Sequence, residues 1–344
     1  NVNFRYVEDE LRYVFDNSDM VALVHGPEFD PPFDGPTLRI GEEYEKALAS
    51  ASPDRTFGER SGDDPYIIYT GGTTGMPKGV VWRAEDAFYA TMGGGNYAGP
   101  PVGSEEELVE NARNAGRFVF LIVPPLMHAA GQWVAMSAFF GAMTVVLLDG
   151  KGFDPHRAWE LVEREQVGSI VIVGDAMGRP LAEAIAEDPS RYDTSSLFVI
   201  GSGGAALSPA VKEQLAASLP NVMVLDSFGS SESGYQGRSA EGRRFEVDEK
   251  TAVFDENLQR VEPGSGVVGR LAQTGHIPVG YYNDPEKTAA TFIEIDGQRW
   301  AFAGDMATVE ADGTINLLGR GSACVNTGGE KVYPEEVEDA LKAH

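Results

Sequence analysis

The sequence predicts an α/β protein: mainly parallel sheets covered by helices, with an antiparallel, β-rich and barrel-like subdomain after them. Three observations carry this. Apolar runs at 118–123, 143–148, 168–173, 196–200 and 221–225 alternate with segments read as helices near 128–140, 154–166, 175–187 and 208–218, a rhythm that implies right-handed crossovers and a sheet covered on both faces. After Gly234 the rhythm changes to short runs at 245–249, 251–255, 267–273, 291–295, 299–302 and 307–310, separated by Asp-Gly, Asn and Pro turns. With 344 residues, the chain buries a large core and holds two domains, or one with subdomains.

Taken in order, Val7, Leu11, Val14 and Phe15 recur at helical spacing, and 20–24 reads as a strand. A loop rich in Pro, Asp and Gly follows at 27–36, then a short helix near 42–50. Residues 65–69 (Pro-Tyr-Ile-Ile-Tyr) form a short buried strand leading into a Gly/Thr-rich stretch, and 84–92 is helical. Gly93–Gly95 and Gly99-Pro100-Pro101 break the pattern before Glu105, Glu106 and Glu107 open another helix as a solvated face. Residues 118–148 carry no Asp, Glu, Lys or Arg, which raises a membrane span. Pro124-Pro125, Gly131, Gly141 and Gln132 argue instead for a buried strand, helix and strand.

Acidic residues number 53 and basic ones 27, a net charge of −26. Such a surface repels nucleic acid and anionic lipid at long range, so a phosphate ligand must be held by backbone dipoles, one or two cations and a metal ion. The lone Cys324 excludes an intrachain disulfide framework and suits a reducing, cytoplasmic setting. The chain opens on Asn1 without a signal-peptide pattern and ends inside a helix begun at Pro334. Both ends read as cut.

Four stretches carry chemistry. In 69–80, Gly71, Gly72, Gly75 and Gly79 free the backbone to turn its N–H groups inward; Thr70, Thr73 and Thr74 add hydroxyls, and Lys78 adds a compact cation. This is a cradle for a polyphosphate without Walker spacing, or else a Gly/Thr-rich surface turn. His128 follows a double-proline strand end, where a lone histidine otherwise serves as a capping or core residue. Gly201-Ser202-Gly203-Gly204-Ala205-Ala206, with Asp226 closing the next strand, matches a dinucleotide fingerprint. On that alternative the chain is an NAD-dependent oxidoreductase. Finally, Phe228-Gly229-Ser230-Ser231-Glu232 offers an aromatic ring, a hydroxyl and a carboxylate suited to magnesium, or else is a polar turn.

Together these motifs, in this order, resemble the AMP-forming acyl-CoA synthetases of the acyl-adenylating enzyme superfamily, and the fold is then a truncated form of theirs. The resemblance runs through Gly264–Leu271 and Val279–Thr288, a structural signature given no catalytic role, to Asp305 and the hinge at Leu318-Gly319-Arg320 through Glu338. The hinge wording is most similar to actinobacterial fatty-acid and steroid-side-chain synthetases. The resemblance implies that 69–79, Lys78 and a magnesium ion on Glu232 hold the leaving pyrophosphate. It places Gly204, Ala205 and Ala206 flat against adenine, Asp226 on the adenine amino group and Phe228 in a stack with it. Gly229 and Ser231 lie by the phosphates, Asp305 and Arg320 hold the ribose, and Lys331 is a further nucleotide contact. His128 lies at the acyl carboxylate with Gln132 and Trp133 as pocket wall. Ser231 and Ala303 replace the usual threonines, and Ser322 replaces the acidic or lysine hinge pivot.

The implied domains are 1–234 (nucleotide- and acyl-binding), 235–319 (β-rich) and 320–344 (hinge and start of a small C-terminal domain). The implied reaction forms an acyl-adenylate from ATP and a fatty acid or other bulky apolar carboxylate, then a coenzyme A thioester with release of AMP. A lysine of the small C-terminal domain serves the first step in the family, so these residues alone are expected to bind nucleotide and turn over weakly. An amino-acid-activating domain, a luciferase-like enzyme and a non-catalytic nucleotide-binding module stay open, as does a homodimer. Cys324 reads as a packing residue.

Overall fold

The computed structural model describes the chain except residues 1, 4, 72–75, 98, 151, 240–243, 322–324, 327–330, 333–336, 338–340 and 342–344, with backbone alone at 325–326 and 331–332. Its main feature is a thirteen-stranded mixed sheet. Thr144–Leu147, Val119–Ile122, Ser169–Ile172, Val199–Ser202 and Met223–Ser230 lie side by side and parallel. From Met223–Ser230 the sheet continues antiparallel through Gly234–Ser239, Arg244–Val247, Ile315–Arg320 and Asp305–Val309 to Gly269–Gln273. The β-rich region is thus hydrogen-bonded directly to the parallel one.

The helices are set by local chemistry. Asp154 caps Pro155–Glu165 by accepting from the His156 and Arg157 N–H groups, with Pro155 at the first turn. Ser104 caps Glu105–Asn114 through the Glu107 N–H. Trp159, Leu161, Val162, Leu181 and Ile185 from two helices bury against Val119, Leu121, Ile170, Ile172 and Ile200. The charge-free stretch resolves into Val119–Ile122, Ala129–Phe140 and Thr144–Leu147 as read from the sequence. No described helix is long and apolar enough to cross a membrane.

A second core positions the site. Pro65–Thr70 pairs antiparallel with Lys78–Arg83, register Tyr66↔Trp82 to Thr70↔Lys78. Lys78–Arg83 pairs in turn with Gly280–Tyr281, through Val80 and Val81. Ile68, Val80, Trp82, Trp133, Ile277, Tyr281 and Phe292 form one cluster across these segments and the helix Ala129–Phe140.

Three expectations change. The strand at 20–24 is Leu23–His25, paired parallel with an unforeseen Thr37–Arg39. Lys78–Arg83 is a strand that the pattern hid, since Lys78, Gly79 and Arg83 dilute its apolar alternation. The strand read at 221–225 runs on to Ser230, because Gly234–Ser239 folds back and pairs with residues 226–230.

Candidate active site

Around the carboxyl ends of the parallel strands the chain assembles polar groups from five segments, where open α/β sheets bind ligands. The Pro65–Thr70/Lys78–Arg83 hairpin contributes first. Its register sets Thr70 across from Lys78 at the mouth of the loop. Gly72, Thr73, Thr74 and Gly75 lie outside the described residues, and Gly71 is exposed. Gly79 is closely packed: a Cβ there would lie 3.0 Å from the Tyr69 ring, which would have to shift to admit it. Trp82, fully buried, donates from Nε1 to the Ser231 carbonyl at 3.1 Å. That bond ties this hairpin to the turn carrying Ser231 and Glu232.

This turn is stiffened by hydroxyls. Ser230 Oγ lies 2.8 Å from Ser233 Oγ, which donates to Gln236 Oε1 at 2.9 Å, and the Glu232 N–H donates to Ser230 Oγ at 3.2 Å. Gly229 admits no side chain, since a Cβ would stand 2.1 Å from the Gly234 carbonyl oxygen. Glu232 Oε1 accepts a 2.8 Å hydrogen bond from Tyr281 Oη. Burial, then the Glu232 charge, pushes the Tyr281 phenol far above its ordinary pKa, so it stays a donor. The Lys78 ammonium sits 6.0 Å from the centre of the Tyr281 ring. Its pKa is lowered by burial first and by Lys287 next.

Asp305 and Arg320 face each other across their strands, with Arg320 Nε 3.1 Å from Asp305 Oδ1 and its Nη1 donating to the Ala303 carbonyl. Phe228 is half-buried, edge-on to Phe245 at 4.6 Å. Gly204, Ala205 and Ala206 are exposed just beyond Val199–Ser202, Gly204 at φ +83°. Their loop is anchored by a residue that no motif singled out, an acid at a helix start: the Ser208 N–H donates to Asp175 Oδ1 at 2.7 Å, and the Asp175 N–H to the Ala206 carbonyl at 3.1 Å.

Asp226, expected at the adenine amino group, is buried. It is 5% exposed, and Lys212 Nζ, also buried, lies 3.5 Å from its Oδ2. Burial pushes its carboxyl up to about 6 against the pull of Lys212 and of the Leu207 and Ser227 N–H groups. The dinucleotide fingerprint fails on the same ground. Its acid is buried in an ion pair, and the next helix starts only at Pro209, so the glycines do not open onto a helix N-terminus.

His128 occupies the N-cap position of Ala129–Phe140 without a side-chain cap bond. Burial, with Arg5 second, lowers its imidazole pKa from the ordinary histidine value, which favours the neutral ring. It borders a cavity of about 500 Å³ also lined by Tyr6, Tyr66, Thr70, Gln132 and Ser231. The wall is ordered by Tyr66 Oη donating to Gln132 Oε1, Trp133 Nε1 donating to Tyr66 Oη at 3.1 Å and Gln132 Nε2 donating to the Leu126 carbonyl at 3.1 Å. Gly131 lets the helix approach the strand end, for a Cβ would meet the Pro124 carbonyl oxygen at 2.6 Å. Of Lys331, the backbone pairing with Asn326 is described; Ser322 and Cys324 lie outside the described residues. Tyr281 and Lys287 are the site neighbours that the sequence reading left without a role.

A family model for an AMP-binding enzyme matches residues 1–269. The chain is 45% identical over 374 aligned residues to a medium/long-chain-fatty-acid–CoA/3-oxocholest-4-en-26-oate–CoA ligase of Mycobacterium tuberculosis, covering 100% of this chain and 68% of the relative. It is 45% identical over 379 residues, with the same coverage, to a 3-oxocholest-4-en-26-oate–CoA ligase of Rhodococcus rhodochrous. Among solved structures, ATP-bound MatB from Rhodopseudomonas palustris matches with a TM-score of 0.80 at 23% identity, over 100% of this chain and 67% of that one. A Mycobacterium tuberculosis fatty acyl CoA synthetase matches at 0.74 and 21%, with the same coverage. These structural likenesses show the fold.

Proposed function

The chain belongs to the AMP-binding enzyme family, and from that premise we propose that it activates a carboxylic acid with ATP and passes the acyl group to coenzyme A. The carboxylate oxygen attacks the α-phosphorus of ATP; the bond to the β-phosphate oxygen breaks, and pyrophosphate leaves with the electron pair. The coenzyme A sulfur, its proton lost, then attacks the acyl carbon and expels AMP. No side chain becomes a covalent nucleophile. The chain's own residues position the reactants and neutralise charge.

The observation that carries this reading is the Trp82–Ser231 hydrogen bond. It fastens the polyphosphate-type hairpin to the Glu232 turn beside the His128 cavity, so a phosphate site and an acyl site share one wall. Lys78 and Thr70 face the phosphates, Asp305 and Arg320 the ribose, and Gly204–Ala206 with Phe228 the adenine; neutral His128 lies by the acyl carboxylate. Thr73, Thr74 and Lys331 belong to this proposal on sequence grounds. A magnesium ion fits Glu232, whose carboxylate is held in place by Tyr281 Oη, since magnesium needs only one or two carboxylates when phosphate oxygens supply the rest. When bound, it neutralises phosphate charge.

The relatives' names and the apolar 118–148 core support a fatty acid or steroid-side-chain carboxylate as substrate. The division at 234 and 319 and a cytoplasmic setting complete the proposal. The test is thermal stabilisation of the chain by ATP–magnesium, by NAD and by non-hydrolysable acyl-adenylate mimics of rising acyl size. A ligand at about 100 times its Kd adds roughly 2.7 kcal/mol. Mimics that raise Tm while NAD does not are the expected result; stabilisation by NAD alone overturns the reading.

A further inference from the structure

The segment 279–288 has a position that its sequence does not reveal. Gly280–Tyr281 pairs with Val80 and Val81 on the strand leaving the phosphate loop, and the Tyr282 N–H donates to the Gly79 carbonyl at 2.8 Å. From the other side, Tyr282 Oη donates to Asp19 Oδ2 at 2.8 Å and Asn283 Nδ2 to the Asn17 carbonyl at 3.0 Å. Between these anchors, helix Pro285–Thr291 starts beside Lys78, its Asp284 cap accepting from the Lys287 N–H at 2.9 Å. This seats Lys287 near Lys78, whose pKa its charge lowers, second to burial, while Asp284 and Glu232 act in the opposite sense.

Two lysines near enough to repel one another are unusual in a chain with a net charge of −26. The two acids nearby are committed elsewhere, Glu232 to Tyr281 Oη and Asp284 to the helix cap. An exposed lysine on a short helix ordinarily points to water, away from like charge. Here the fold brings it to the cation at the loop mouth, and a polyanion between them relieves the repulsion.

We infer that Lys287 is a second phosphate-binding cation which, with Lys78, grips the β- and γ-phosphates of ATP and holds them as pyrophosphate leaves. This rests on the adenylation reading above. It assigns Lys287 to ligand binding, whereas the 279–288 segment otherwise serves as scaffold.

Isothermal calorimetry on the 344-residue chain, with magnesium pyrophosphate, ATP–magnesium and AMP as separate ligands, tests it. Lys287→Gln is expected to weaken pyrophosphate and ATP about tenfold, the loss of one charge-assisted contact, and to leave AMP unchanged. Lys287→Arg keeps the charge and restores most of the affinity. Unchanged pyrophosphate affinity in Lys287→Gln overturns the inference, as does a parallel loss of AMP, which marks a scaffold role. A wild-type chain that binds neither AMP nor ATP overturns the adenylation reading itself, a distinct result.

Discussion

Lys212→Met isolates a buried charge whose cost the structure lets us estimate. Lys212 and Asp226 are 9% and 5% exposed, and Nζ lies 3.5 Å from Oδ2. In the folded chain the Asp226 carboxyl stands at about 6 rather than 3.8, a rise worth about 3 kcal/mol at 1.36 kcal/mol per pKa unit. The folded state therefore holds this proton more tightly than the unfolded one. The associated penalty is absent below about pH 4, grows up to about pH 6 and is constant above. Removing the ammonium takes away the largest opposing influence and pushes the folded pKa higher still, so the penalty keeps growing above pH 6. We expect Lys212→Met to cost about 3–5 kcal/mol at pH 8, equivalent to a Tm fall of roughly 4–7 °C in a chain of this size. At pH 5, where the carboxyl is largely protonated, the cost shrinks. Urea unfolding at pH 5, 6, 7 and 8 measures it. The double variant Lys212→Met/Asp226→Asn, which removes both charges, is expected to recover most of the loss. An equal penalty at pH 5 and pH 8, or a double variant as unstable as the single one, refutes the reasoning.

Two further changes probe the site. Tyr281→Phe removes the 2.8 Å donor to Glu232; at about 1.5 kcal/mol for a hydrogen bond to a charged group, carboxylate-dependent ATP–pyrophosphate exchange is expected to fall roughly tenfold in kcat/KM for ATP–magnesium. Gly229→Ala drives a Cβ to 2.1 Å from the Gly234 carbonyl oxygen, so the hairpin must part. The expected loss is about 3 kcal/mol in global stability, with amide exchange rising selectively over residues 223–239.

The parts of the site built from contiguous residues were legible because their chemistry is local. A glycine-rich loop frees N–H groups wherever it occurs, and His128 after two prolines falls at a helix start whatever packs against it. Alternating apolar runs likewise specified the parallel strands and their helices, since run length and the flanking Gly and Pro separate a short strand buried on both faces from a longer helix. The dinucleotide alternative stayed open for the same reason: Gly201–Ala206 and Asp226 satisfy a local pattern, and only packing shows that Lys212 has buried the acid.

Tertiary structure decided what depends on residues far apart in the chain. Trp82 meets Ser231 across 149 positions and Tyr281 meets Glu232 across 49; no periodicity encodes such pairs, because they exist only once the hairpin, the large sheet and the 279–288 segment share a core. Strand 78–83 and the extension to Ser230 depend on partners supplied from elsewhere, which is why a diluted apolar pattern folds as β there. By itself the sequence determined the fold class, the family resemblance and the motifs proposed to face the ligands. The fold decided which charges meet and which are buried, since the strength of an ionic contact depends on distance and on the exclusion of water, and both arise only from packing.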